Sequence, residues 1–203
     1  ASILKAGAIS SRAMWPMVGL LALVNITGWN GLVLFGVREM EAGRSAIIAY
    51  TMPVWATLVS LAVLHEPLGR RKLAGLVLGM AGLVVLLGDD LRAIERRPFA
   101  ALMILGAAVV WACGTVLLRK FQPKIPQDTL TGWMMIVGWV PIALAVPPFD
   151  PAWRHALDGL SPTAWFAIAY NIAMAGTLAH WAWFTLARTL PVAVSSMASL
   201  PVP

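Results

Sequence analysis

Charge is what this chain lacks over its greatest lengths. Asp, Glu, Lys and Arg are absent from Ala13 to Val37, Ser45 to His65, Leu73 to Gly88, Pro98 to Leu118, Thr129 to Phe149 and Gly159 to Ala187, and from a seventh stretch between Thr189 and Pro203. Only 12% of the residues are charged against about 25% in soluble domains, so a water-soluble domain is excluded. Cysteine occurs once, at Cys113, which excludes a disulfide within the chain and leaves no cysteine cluster for a metal. That residue reads as a small apolar core side chain. The three histidines (His65, His155, His180) fall in separate segments, and HExxH, GxSxG, P-loop and GxGxxG patterns are all missing. No catalytic constellation, metal site or cofactor motif is therefore expected. The paired Asp89 and Asp90 sit in a loop, where they read as solvated or as a helix cap.

What fills the uncharged stretches is Leu, Val, Ile, Ala, Trp and Gly. At about 1.5 Å per residue, some 20 apolar residues cross a hydrocarbon core of about 30 Å. Five of the six complete windows are long enough, and the third, Leu73 to Gly88, reaches only about 24 Å and needs Arg71 and Lys72 to snorkel or a locally thin bilayer. The expected fold is an all-α, polytopic membrane helix bundle with six complete spans and the start of a seventh. The opening ASILKAGAISSR has no basic region followed by an apolar run and cleavage site, and reads as the end of a preceding helix.

A net charge of +6 raises the question of nucleic acid, but the basic residues stand in short clusters between apolar spans and offer no continuous basic face. They set topology instead. With Lys5 and Arg12 on the cytoplasmic side, alternate loops add Arg70, Arg71, Lys72, Arg119, Lys120, Lys124 and Arg188. The opposite side carries Arg38, Arg44, Arg92, Arg96, Arg97 and Arg154 together with most of the acids.

Within the spans a few residues invite a functional reading. Pro53 removes a helical N–H and frees the carbonyl of Ala49, with Tyr50 and Thr57 near the same face. The bend is either a polar-lined element facing a cavity or a static kink. His180 is the one ionisable side chain well inside a span. It shares an α-helical face with Ala173, Gly176 and Trp183, and could bind substrate, relay protons or simply bond a neighbouring carbonyl. Asn25, Gly28, Trp29 and Leu32 share one face, as do Ile104, Ala108, Trp111 and Thr115; aromatic rings with single polar partners suit small apolar or aromatic ligands. Gly75, Gly79 and Gly82 form a stripe expected to pack closely on another helix. Glu66, before Arg70, Arg71 and Lys72, suggests an interfacial ion pair. Trp15, Trp133, Trp153 and Trp165 lie near span ends, as belt residues do.

Internal similarity is faint but present. GRSAIIAYTMPV (Gly43 to Val54) aligns with VAVSSMASLPV (Val192 to Val202) at an offset that places Pro53 on Pro201 and Gly28 on Gly176. FGVREM (Phe35 to Met40) then corresponds to FTLART (Phe184 to Thr189) with a slip of one. Five spans separate the equivalent helices, and an odd number inverts the second half.

On these residues the chain resembles the EamA family of the drug/metabolite transporter superfamily. The resemblance rests above all on EAGRSAIIAYTMPVWATLVSLAVLHEPLGRRKLAGLVLGMAGLVVLL (Glu41 to Leu87), and less firmly on LGAAVVWACGTVLLRKF (Leu105 to Phe121), where Ala112 and Cys113 separate Trp111 from Gly114. It implies a fragment of a ten-helix carrier built from two inverted five-helix repeats, with residues 1–90 from the first and 98–203 from the second. It further implies a secondary transporter in a bacterial inner (plasma) membrane, exporting small organic metabolites such as amino acids without a cofactor and without catalysis. The lipid bilayer and a small-molecule substrate are the expected partners, and nucleic acid is not. Cavity-lining candidates are Asn25, Trp29, Tyr50, Trp111, Thr115, His180 and Ser199, with Pro53, Pro201, Glu66, Gly75 and Gly79 in structural or gating roles. A non-transporting sensor or assembly subunit and a membrane-embedded enzyme are the alternatives. The enzyme would need clustered His or acidic residues at one membrane face.

Overall fold

The computed structural model describes residues 12–66, 69–87 and 97–192, and every regular element among them is helical. Ser199, Pro201, Asp89 and Asp90 lie outside the described residues. The first helix, Arg12–Glu39, opens with a 3-10 turn and continues as α1 (Trp15–Ala22), a π-helical segment (Leu23–Gly28) and α2 (Trp29–Glu39). There follow α3 (Ala42–Ala49), α4 (Met52–Leu64), α5 (Arg70–Leu87), α6 (Pro98–Phe121) and α7 (Gln127–Phe149). The last helix joins α8 (Pro162–Tyr170), a second π-helical segment (Asn171–Ala179) and α9 (His180–Thr189).

Four of the described helices have the length and apolarity to cross a membrane: Arg12–Glu39, Ala42–Leu64, α6 and α7. α5 runs over 18 residues, Arg70–Leu87. Boundaries follow local chemistry. Pro98 and Pro162 sit in the first turns of α6 and α8, where a missing N–H costs nothing. Ser161 accepts a hydrogen bond from the Ala164 N–H at 3.2 Å and caps α8. Arg119 and Lys120 occupy the last turn of α6, opposite the negative end of its dipole, before Gln122 turns left-handed at φ 40°.

The chain falls into two compact units, residues 1–27 with 124–185 and residues 28–123 with 186–203. In the second, α2, α3 and α4 pack on α6. The α2–α6 pair is antiparallel: Trp29 meets Trp111, Leu32 meets Gly106, and Gly36 meets Ile104 and Ala100. Small residues line this seam (Gly36, Ala100, Gly106, Ala107, Ala108), as expected where lipid is as apolar as the helices and association depends on close backbone approach. At one end Arg97 pairs with Glu39. At the other, Arg119 donates to the Arg188 carbonyl and Arg188 donates to the Pro123 carbonyl at 2.7 Å.

In the first unit α1 and its π segment run parallel to α7, since Trp15 stacks edge-on with Trp133 at 4.8 Å and Ile26, one helix stretch later, meets Gly138. Three prolines lie inside α7, at 141, 147 and 148. Pro141 cannot donate to the Val137 carbonyl, which loosens the ladder there. The adjoining Gly138 carbonyl accepts a 2.6 Å hydrogen bond from the Thr27 hydroxyl, which ties the first helix to α7 one residue from the carbonyl that Pro141 leaves free.

Pro53 interrupts the span Ala42–Leu64: α3 ends at Ala49, Tyr50 and Thr51 keep right-handed angles in a turn, and Pro53 stands in the first turn of α4, as a proline that frees the carbonyl four residues back requires. The glycine stripe of α5 has no close neighbour at Gly82. A Cβ added to Gly82 would meet nothing within 4 Å, Gly75 and Gly79 are only half-buried, and Leu78 and Val85 are 73% and 78% exposed. This helix presents the apolar surface that lipid solvates.

Candidate functional site

Two π-helical segments interrupt the described helices, the first with Asn25 and Ile26 buried and the second without a buried residue. Each i→i+5 turn holds one residue more than an α-turn and misaligns carbonyls that side chains must then satisfy. In the first, the Asn25 side-chain amide donates to the Leu21 carbonyl at 3.0 Å. In the second, Asn171 donates likewise to the Ala167 carbonyl at 3.0 Å, Thr177 reaches the Ile172 carbonyl at 2.9 Å, and His180 Nδ1 lies 2.8 Å from the Ala175 carbonyl. A carbonyl only accepts, so Nδ1 carries the proton and neutral His180 is the Nδ1–H tautomer. Its ring also meets Phe184 edge-on at 5.8 Å. The backbone from Asn171 to Ala179 is π-helical, so the α-helical spacing that put Ala173 on the face of His180 does not apply there.

The predicted aromatic pair does come together. Trp29 and Trp111 lie near the middle of their spans with ring centroids 5.1 Å apart and planes inclined by 53°. One turn beyond, the buried Thr115 hydroxyl donates to the Trp111 carbonyl at 3.0 Å. Tyr50 is half-buried at the α3–α4 break, where Thr51 closes the exposed ladder: its hydroxyl donates to the Ile48 carbonyl at 2.8 Å and accepts from Trp55 Nε1 at 3.2 Å. Glu66 does not pair with Arg70 or Arg71; its carboxylate accepts from the Ser60 hydroxyl at 3.3 Å. Trp153 and Trp165 are exposed, whereas Trp15 and Trp133 are occupied with each other.

Asn25 is the most constrained of these candidates. It is fully buried, and its Oδ1 has no hydrogen-bond partner among the described residues. A buried acceptor left unpaired costs roughly 1–3 kcal/mol. Sequence reasoning missed Thr27 and Gly138, whose bond holds the helix carrying Asn25 against α7; Pro141, three residues on, was the available signal. It also missed Ser45, buried with a hydroxyl that has no partner among the described residues. No group of three His, Cys, Asp or Glu able to hold a metal occurs among the described residues.

Comparison with known proteins agrees with this architecture. The chain matches the model of the EamA-like transporter family over residues 1–88 and 98–203. It is 24% identical to the uncharacterized transporter YoaV of Bacillus subtilis, over 91% of this chain and 62% of that protein. It is 27% identical to the chloroplastic WAT1-related protein At3g02690 of Arabidopsis thaliana, over 84% and 42%. With an Escherichia coli protein named as a probable amino-acid metabolite efflux pump it shares 23% identity over 72% and 51%. The chain thus spans less than two thirds of the length of each of these relatives. A solved crystal structure superposes with a TM-score of 0.78 at 23% identity, covering 98% of this chain and 68% of that one, and shares the fold. The chain is a helical integral membrane protein and belongs to the EamA-like transporter family.

Proposed function

We propose that the full-length protein is a secondary carrier that exports small organic metabolites of the amino-acid class by alternating access between two inverted five-helix halves, residues 1–90 belonging to the first and 98–203 to the second. One observation carries this reading. The π segments begin at Leu23 and Asn171, the same spacing that places Gly28 on Gly176 and Pro53 on Pro201 in the sequence. Interrupted helices at corresponding positions of two halves are the mark of carriers whose binding sites lie at mid-membrane. The tilted Trp29–Trp111 pair supplies an aromatic wall of the kind small-molecule sites use. The transporter family and the name of the E. coli relative, a probable amino-acid metabolite efflux pump, support a metabolite cargo and outward direction. A bacterial inner membrane, gradient-driven or equilibrating movement and the absence of catalysis belong to the same proposal.

The test uses the full-length parent. Cells expressing it are challenged with toxic amino-acid and nucleoside analogues beside cells expressing Trp29→Ala at matched membrane abundance. Resistance to at least one analogue, reduced about tenfold or more by the substitution, is expected if the indole contributes more than about 1.4 kcal/mol to transport. No resistance to any analogue, with the protein present in the membrane, would dismiss export.

A further inference from the structure

Where α2 ends and α6 begins, a cavity of ≈ 450 Å³ opens between Arg38, Glu39, Arg97 and the rings of Phe35 and Phe99. All of its lining belongs to one compact unit. Arg97 pairs with Glu39, which neutralises one guanidinium charge. Arg38 makes no ion pair with any described residue, so the lining carries an excess of one positive charge. The place is an interface by construction, because each of the two helices is a membrane span and these are their terminal turns. Its apolar edge points the same way: Phe35 is 41% exposed, Phe99 68%, and Leu102, one turn deeper on α6, 59%.

We propose that this cavity binds the phosphate of an anionic phospholipid headgroup, with the acyl chains lying along Phe99 and Leu102. A guanidinium offers a planar, two-pronged donor that matches phosphate oxygens, and at the bilayer surface it does so without deep desolvation. The phenylalanine rings solvate the glycerol and first methylenes, where a water-soluble phosphate would gain nothing. A zwitterionic headgroup brings its own ammonium to a site already positive and is disfavoured. The excess guanidinium draws the anionic lipid in, and the Arg97–Glu39 pair holds the two helix ends at the spacing that keeps the cavity open.

The full-length protein is purified and mixed with phosphatidylglycerol or phosphatidylcholine of matched chains, or with inorganic phosphate alone. Retained lipid is counted by native mass spectrometry and thermal stability is followed. Phosphatidylglycerol is expected to give a retained adduct and a raised melting temperature, phosphatidylcholine a weaker adduct, and phosphate no stabilisation. Arg38→Ala should weaken the phosphatidylglycerol adduct about tenfold, the loss of one charge-assisted contact of roughly 1.4 kcal/mol, while Arg38→Lys retains part of it. Equal binding of the two lipids, or an unchanged adduct in Arg38→Ala, overturns the proposal. So does full stabilisation by inorganic phosphate, which would make the site one for a soluble anion. The comparison of the two lipids on the unaltered protein holds even if a variant folds poorly.

Discussion

Gly138→Ala, a single added methyl group, is expected to destabilise the full-length protein by about 3 kcal/mol, the upper part of the range for overpacking. The added Cβ would fall 2.4 Å from the Cβ of Ile26 and 2.9 Å from the carbonyl oxygen of Ala22. Neither atom can turn away, since one is anchored to the backbone and the other is part of it. Relief requires the first helix and α7 to separate. Separation lengthens the Thr27–Gly138 bond, now 2.6 Å, and costs the two helices that cross-bond in an apolar interior.

Gly36→Ala is the matched control. Its Cβ would also lie 2.4 Å from a neighbour, but that neighbour is the Cδ1 of Ile104, with Cγ1 of the same side chain at 2.6 Å, and both move when that side chain changes rotamer, for about 1 kcal/mol. Denaturation by SDS in mixed micelles, read by helix content and by the melting temperature in detergent, compares the two. Equal losses would mean that the Ile26–Gly138 seam is no tighter than the Ile104–Gly36 seam, and the account of α7 given above would fail. Thr27→Val should cost less than Gly138→Ala, about 0.6–1.7 kcal/mol, in the range of hydrogen bonds between membrane helices.

How far these features were legible in the sequence depends on whether they arise locally. Uncharged runs locate the spans because burying a charge in lipid is costly whatever the neighbours are. The Trp29–Trp111 meeting was half-legible: each indole could be assigned to an apolar face, but their register came from Gly36 and Gly106 letting α2 and α6 approach. The π segments were not legible, since Asn, Thr, Gly and Ala occur in ordinary helices and the extra residue is held by packing and by side chains such as Asn25 and Asn171 that bond backward. Pro53 was legible as an interruption of its span; the form of that interruption, a two-residue turn at Tyr50 and Thr51 before α4 starts, was not.

Asn25→Leu should separate stability from transport. In the folded protein the Asn25 amide donates to the Leu21 carbonyl, while Oδ1 is buried without a partner among the described residues. Leucine has closely similar bulk and removes the unpaired acceptor, but it gives up the bond to the Leu21 carbonyl, so the two effects offset. The expected change in unfolding free energy is within about 1 kcal/mol and can be favourable. Asn25→Asp keeps the shape and reverses the chemistry. A carboxylate at the same fully buried position would face the Leu21 carbonyl, so it must either take up a proton or bear an uncompensated charge, at a cost of about 3 kcal/mol or more. If Oδ1 is the acceptor for an ammonium, amide or hydroxyl donor of the cargo during transport, Asn25→Leu abolishes resistance to the exported analogue although the protein folds as well as its parent. Asn25→Gln, which keeps the donor and acceptor one methylene further out, would then retain part of it. The deciding result is the leucine variant's transport at matched abundance. Normal resistance in a stably folded Asn25→Leu protein would show that the first π segment needs Asn25 only as a backbone brace, and that the cargo is read from the Trp29–Trp111 side of the spans.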